Sequence, residues 1–261
     1  RPYIPAQYED ISTYSNNIKQ QYLSQIDFSN YLLQCSSFLV DRVTAYVFNI
    51  VQNPSDETYK QHVDEVAVAI SNDDPIIKTS LLEVVWQRFV ALENHVLANY
   101  VTETYLLDLA NATNNKVLAE TITSYKNTSI GTKAPDFDIL IDSNKTSLHQ
   151  LEGAEHILVI FWSSGCGHCL NELPKVKELV TKKPNLKVVA FGLEEDNIKW
   201  SEEIKNYPNF THVIGLGKWD NPIVKTYGIA ATPMYFLLGK DKIITEKPYT
   251  IEDLELILND L

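Results

Sequence analysis

The sequence predicts an all-α segment over residues 1–130, followed by an α/β domain with a mixed sheet over residues 133–261. Three observations carry this reading. Glycine is absent before Gly131, and apolar residues there recur every three and four positions, which suits packed helices. After Lys133 the apolar residues instead alternate or form short continuous runs, the texture of strands. Between the two, Gly131 and Pro135 mark a linker over Ser129–Pro135.

Each element follows from its local pattern. Val43, Tyr46, Val47, Ile50 and Val51 share one helix face, as do Val63, Val66, Ala67 and Ile70. Asn53-Pro54 and Asp74-Pro75 each read as an N-cap followed by proline at the first helical position. From Lys78 to Leu109 the spacing of Leu81, Leu82, Val85, Phe89, Leu92, Val96 and Tyr100 predicts one long helix or two in tandem, and Asn114–Tyr125 a last one. Beyond the linker, Phe137, Ile139 and Ile141 alternate with Asp138, Leu140 and Asp142, an edge-strand pattern. The run His156–Trp162 suits a central strand buried on both faces. Cys166–Lys182 reads as a helix, Lys187–Leu193 as a strand and Asn197–Tyr207 as a helix. After a short helix come two strands, Met234–Leu238 and Lys242–Thr245, joined by Gly239-Lys240-Asp241, and a closing helix over Thr250–Leu261.

Composition removes several function classes. The 261 residues carry a net charge of −12, shared equally by the two parts, and the densest basic stretch, Lys175–Lys187, reads as a solvated helix face. A phosphate backbone would be repelled, so nucleic acid is not an expected partner. No run of about 18 apolar residues occurs, so no transmembrane segment is expected. The chain starts Arg1-Pro2-Tyr3 without Met or an apolar signal core, so a mature product is expected, its targeting segment or membrane tether removed.

Three cysteines occur: Cys35, Cys166 and Cys169. Cys166-Gly167-His168-Cys169 follows a strand and opens a helix. Unpaired N–H groups and the helix dipole at such an N-terminus favour an anion, so a thiolate at Cys166 is stabilised. Cys169 lies one turn deeper, placed to attack a mixed disulfide formed at Cys166. A zinc site would need two further ligands at ordered spacing, and His149, His156 and His212 form no pair, so no metal is expected. Haem attachment is excluded because Leu170, not histidine, follows the second cysteine. Cys35, in the apolar stretch Tyr31–Cys35, reads as a buried inert thiol. The sequons at Asn111, Asn127, Asn144 and Asn209 are put down to chance in an Asn-rich chain.

The stretch Phe161-Trp162-Ser163-Ser164-Gly165-Cys166-Gly167-His168-Cys169, with Pro174 and Ala231-Thr232-Pro233-Met234-Tyr235-Phe236, resembles the active-site loop, kinking proline and cis-proline strand of the thioredoxin superfamily. Lys133-Ala134-Pro135-Asp136-Phe137, Ser147–Gly153 and Cys169-x-x-Glu172-x-Pro174 are similar to its TlpA/ResA-like branch. The resemblance covers residues 133–261 and leaves the helical part unassigned. It implies helices on both faces of the sheet and an extracytoplasmic thiol–disulfide oxidoreductase of the bacterial periplasm or cell envelope. Such a protein needs no cofactor beyond a redox-active Cys166–Cys169 disulfide. Its partners would be protein thiol or disulfide substrates and a redox partner protein.

The same resemblance assigns roles. Cys166 attacks, Cys169 resolves, and a cis bond at Pro233 places the backbone of Thr232 for pairing with substrate. Trp162, Gly167 and His168 modulate the site, and Glu172 is the candidate proton acceptor. Ile160 stands where thioredoxin itself has a buried acid, which favours Glu172, and Gly165 stands where tryptophan is usual. The branch favours the reductase direction, whereas the Gly-His dipeptide matches disulfide isomerases and favours isomerase or oxidase activity. An imidazole stabilising the Cys166 thiolate would make the disulfide more oxidising. A peroxidase is disfavoured because the expected Pro-x-x-x-Thr/Ser-x-x-Cys stretch is missing, and a metal-delivery module using Cys166, Cys169 and His212 because metal readers of this fold space their cysteines differently. For residues 1–130, docking or self-association and inert packing remain equal alternatives.

Overall fold

A computed structural model describes residues 19, 21–51, 53–70, 74–141 and 144–261. Asp142 and residues 1–18 of the expected helical segment lie outside the described residues. The chain divides into two compact units between Ile122 and Thr123.

The first unit is helical: α1 (Tyr31–Gln34), α2 (Phe38–Thr44), α3 (Asp56–Ala69), α4 (Pro75–Ala91), α5 (His95–Val101), α6 (Leu107–Ala112) and α7 (Lys116–Asn127), the last running past the boundary. Two π-helical turns, Ala45–Asn49 after α2 and Thr102–Leu106 after α5, widen the backbone. The tandem alternative holds for residues 78–109: α4 ends at Ala91 with Leu92 as its C-cap, Glu93 takes a left-handed φ of 55°, and Asn94 caps α5 by accepting from Leu97 N–H. Asp74 caps α4 as expected, with Pro75 at its first position. Asn53-Pro54 does not start α3. Asn53 is itself left-handed at φ 70°, and Ser55 is the cap, accepting from Thr58 N–H. Val43, Val47, Val63, Val66, Leu82, Val85 and Leu97 form the core of this unit.

The second unit holds the sheet. Seven strands occur among the described residues: β1 (Asp138–Ile141), β2 (Asn144–Ser147), β3 (His156–Trp162), β4 (Leu186–Glu194), β5 (Thr211–Leu216), β6 (Met234–Leu238) and β7 (Ile244–Glu246). The main sheet has the order β5-β4-β3-β6-β7, with β3 parallel to β4 and antiparallel to β6. The expected edge strand, β1, is not in this sheet: it pairs with β2 as a separate antiparallel hairpin, and its Ile139 caps one face of the main core. The helices are α8 (Gly167–Thr181), α9 (Ile198–Glu203), α10 (Pro222–Thr226) and α11 (Ile251–Asn259).

Central β3 sorts its residues by parity, because successive side chains of a strand point to opposite faces. Ile157, Val159 and Phe161 face Phe137, Tyr227 of the turn after α10, and Phe236. Leu158, Ile160 and Trp162 face Leu173 and Val176 of α8 and Leu254 of α11. Both faces are therefore covered, and the C-terminal end of β3 is where the chain must leave the core.

Candidate active site

The exit from β3 is the loop Ser163-Ser164-Gly165, and Cys166 is the N-cap of α8, with extended dihedrals of φ −93° and ψ 107°. Its sulfur does what an N-cap side chain does, accepting the Cys169 backbone N–H at 3.3 Å. The same thiol donates to the Thr232 carbonyl at 3.5 Å, and the bond from Thr232 to Pro233 is cis. Residues 66 positions apart thus meet at one sulfur because β6 runs beside β3.

The two thiols differ sharply. All three cysteines are free; Cys166 is half-buried and Cys169 fully buried against Trp162 and Leu173. Burial pushes Cys169 up to about 12, helped by its hydrogen bond with Cys166. Burial also acts upward on Cys166, yet hydrogen bonds from the side chain and backbone of Cys169, from Thr232 and from the His168 backbone outweigh it. The net effect is a pKa below the ordinary thiol value. The reachable sulfur is the one that ionises first, and the hidden one holds its proton.

Glu172 is buried, one turn below Cys169 on α8. Its Oε2 accepts from the Tyr235 hydroxyl at 2.6 Å, and its Oε1 lies 3.3 Å from His168 Nε2. The His168 side chain is 68% exposed, so a continuous polar path runs from Tyr235 in the core through Glu172 to solvent. Burial raises the Tyr235 hydroxyl pKa, and Glu172 raises it further. The imidazole expected on Cys166 is instead turned to the carboxylate four residues on, and only the His168 backbone reaches that thiol. Trp162 lies under the site with 0% exposure, packed in the layer that buries Cys169. A Cβ on Gly167 would meet open space, so steric crowding is not what demands glycine there.

Two participants were not singled out from the sequence. Tyr235 reads there only as a strand aromatic. Glu194, at the end of β4, is buried, and its carboxylate accepts from Ser164 N–H at 2.6 Å and from Ser164 Oγ at 2.9 Å. It fixes the loop that carries Cys166. The available signal was an acid closing an apolar run, Val188–Leu193, beside a Ser-Ser loop. His212 Nε2 sits on the Tyr207 carbonyl at 2.9 Å, and among the described residues no three His, Cys, Asp or Glu side chains are grouped to hold a metal ion. Cys35 is exposed, not buried: α1 has four residues and buries none of them, so its C-cap has no core to enter.

The Redoxin family pattern matches residues 129–255. The thiol-disulfide oxidoreductase ResA of Bacillus thuringiensis subsp. konkukian (strain 97-27) is 31% identical over 122 residues, covering 45% of this chain and 68% of the relative. ResA of Geobacillus thermodenitrificans (strain NG80-2) is 26% identical over 170 residues, covering 60% of this chain and 91% of the relative. A thioredoxin-like protein from Bacteroides caccae ATCC 43185 has the same fold, with a TM-score of 0.61 at 18% identity, over 99% of this chain and 97% of that one. The last likeness extends through the helical unit.

Proposed function

The chain belongs to the ResA/TlpA-like branch of the thioredoxin superfamily and is a thiol–disulfide oxidoreductase, and from that premise we propose that Cys166 and Cys169 are its exchanging pair, working outside the cytoplasm in the reducing direction. The observation that carries this is the split between the two thiols: Cys166 is half-buried and lowered in pKa, Cys169 buried and pushed up to about 12.

The steps follow from that split. The Cys166 thiolate attacks one sulfur of a client disulfide; the other client sulfur leaves as thiolate and takes a proton from water. The client, extended along Thr232, is then joined to Cys166. Cys169 gives up its proton and attacks Cys166 Sγ, which releases the second client sulfur as a thiol and leaves a Cys166–Cys169 disulfide. Two electrons and two protons have passed to the client, and a redox partner protein must return them. Glu172 is the proton acceptor of the second step, held ready by Tyr235 and His168.

The direction is supported by the posture of His168. An imidazole on the Cys166 thiolate would stabilise the reduced pair and make the protein an oxidant or isomerase; here the ring is committed to Glu172. The expected reduction potential is nearer thioredoxin, about −270 mV, than the isomerase value of about −180 mV. The location is supported by the resemblance to the TlpA/ResA-like branch.

Cys166→Ser is expected to abolish reduction of insulin by dithiothreitol-fed protein. Cys169→Ala is expected to accumulate client joined to Cys166, which mass spectrometry identifies. Undiminished insulin reduction by Cys166→Ser would refute the assignment.

A further inference from the structure

Beside Cys166 a recess of about 210 Å³ opens between the loop after β3 and the turn that follows β5. Cys166, Thr232, Leu193 and Trp219 line it, with Gly165 at the rim. Gly165 presents no side chain, and a Cβ there would meet nothing nearer than Ser163 Oγ at 3.7 Å, so that side of the sulfur is open. The opposite wall is Trp219.

Trp219 is 49% exposed, although indole is among the costliest side chains to leave in water. The backbone turn that carries it is nonetheless fixed. Gly217 and Lys218 are both left-handed, at φ 90° and 46°, and turn the chain sharply out of β5. Gly217 N–H donates to the Glu194 carbonyl at 3.0 Å, and Asp220 N–H closes the turn on the Gly217 carbonyl at 2.9 Å. Glu194 is also the residue whose carboxylate holds Ser164, so the turn bearing Trp219 and the loop bearing Cys166 are tied to one anchor. Lys218 is on this wall too, but its ammonium is engaged by Glu195 at 3.0 Å. What faces the recess is therefore an aromatic wall, the buried Leu193 and a sulfur, beside a lysine whose ammonium is paired.

We propose that Trp219 is a specificity-determining residue that receives an apolar or aromatic side chain of the client, from the residue next to the client's cysteine. The proposal rests on the disulfide-exchange reading above. A client strand lying along Thr232 must present its sulfur to Cys166, and the neighbouring client side chain on that side enters the recess. An indole carried on a hydrogen-bonded turn offers a large contact surface with few rotors to freeze. A carboxylate would gain less there, because the Lys218 ammonium on this wall is paired with Glu195.

The test uses pre-reduced full chain in single turnovers. Two peptides, each joined by a disulfide to nitrothiobenzoate, differ only in carrying Phe or Gly beside the cysteine, and release of the coloured thiolate gives the second-order rate constant. Wild type is expected to prefer the Phe peptide by about tenfold, the scale on which apolar pockets discriminate. Trp219→Ala is expected to lose that preference and Trp219→Phe to keep most of it. An unchanged Phe-to-Gly ratio in Trp219→Ala overturns the proposal, even if both rates fall, as does a ratio near one in wild type. Failure of wild type to react with either peptide, in step with Cys166→Ser, overturns the exchange reading itself.

Discussion

At the scale of single residues, Glu172 joins the hidden thiol's neighbourhood to water. It is buried, its two oxygens are held by Tyr235 and His168, and it sits one turn from a thiol raised to about 12. A thiol so reluctant to ionise needs an acceptor at the moment it attacks. Glu172→Gln keeps a carbonyl oxygen for Tyr235 and removes both base and charge. Release of the client from the mixed disulfide is expected to slow by about tenfold or more, from the general range for proton transfer. The first attack, which uses the Cys166 thiolate, is expected to change less. Stopped-flow separation of the two steps decides it, and equal release rates from about pH 5 to 9 would leave Glu172 a structural role. Sequence reasoning reached Glu172 through the family resemblance, which its spacing from Cys169 on one helix face supports but does not carry alone. It could not reach Tyr235 or Glu194, because both arrive from other strands and their pairing is a product of sheet order. Cys35 failed for a local reason: an apolar run is legible as a core helix only when the helix is long enough to bury it.

At the scale of elements, the strongly patterned pieces were legible. β3 matches its expected bounds, and α8 begins where the C-x-x-C places it, with Cys166 as the cap. β5 was missed. Its sequence Thr211–Leu216 holds a histidine and a glycine, and as an edge strand it pairs only with β4. Gly215 is there because a Cβ would fall 2.2 Å from the Phe191 ring, a packing demand that no propensity encodes. The histidine of β5 gives this element a pH dependence. Burial lowers the His212 pKa below 6.5, partly offset by the Tyr207 carbonyl. The folded state thus prefers the neutral ring, while the unfolded chain protonates near 6.5. Its contribution is fully present above that pH and lost as pH falls toward the lower folded value. His62, buried on the Tyr46 carbonyl in the helical unit, is shifted the same way. The expected outcome is a melting temperature that is flat above about pH 7 and falls on acidification below about 6.5. His212→Gln, whose amide can still donate to Tyr207, is expected to make that fall shallower in a calorimetric pH series. An identical slope would remove His212 from the cause.

At the scale of the whole molecule, each unit encloses its own core. Among the described residues, both faces of the main sheet are covered by side chains that lie between Ala134 and Leu258. The dithiol, its cap, Thr232, Glu172, Tyr235 and Glu194 all belong to that unit. A domain of this size buries about two thirds of its unfolded surface, enough to fold alone. The start must respect the local hydrogen bonding. Asn115 accepts from Leu118 N–H, so α7 keeps its cap only if the chain begins before it. Gly228 packs against Ser124 of the same helix, and Gly131 N–H donates to the Ile244 carbonyl of β7. Residues 114–261 alone are therefore expected to unfold in one cooperative transition. They are also expected to reduce insulin within about twofold of the full chain, since every site residue named above lies within residues 123–261. Calorimetry and the insulin assay on the two proteins, compared at equal concentration, measure both. A cooperative fold with activity cut tenfold or more would assign residues 1–113 to client capture. A failure to fold would make the helical unit part of the enzyme's own core.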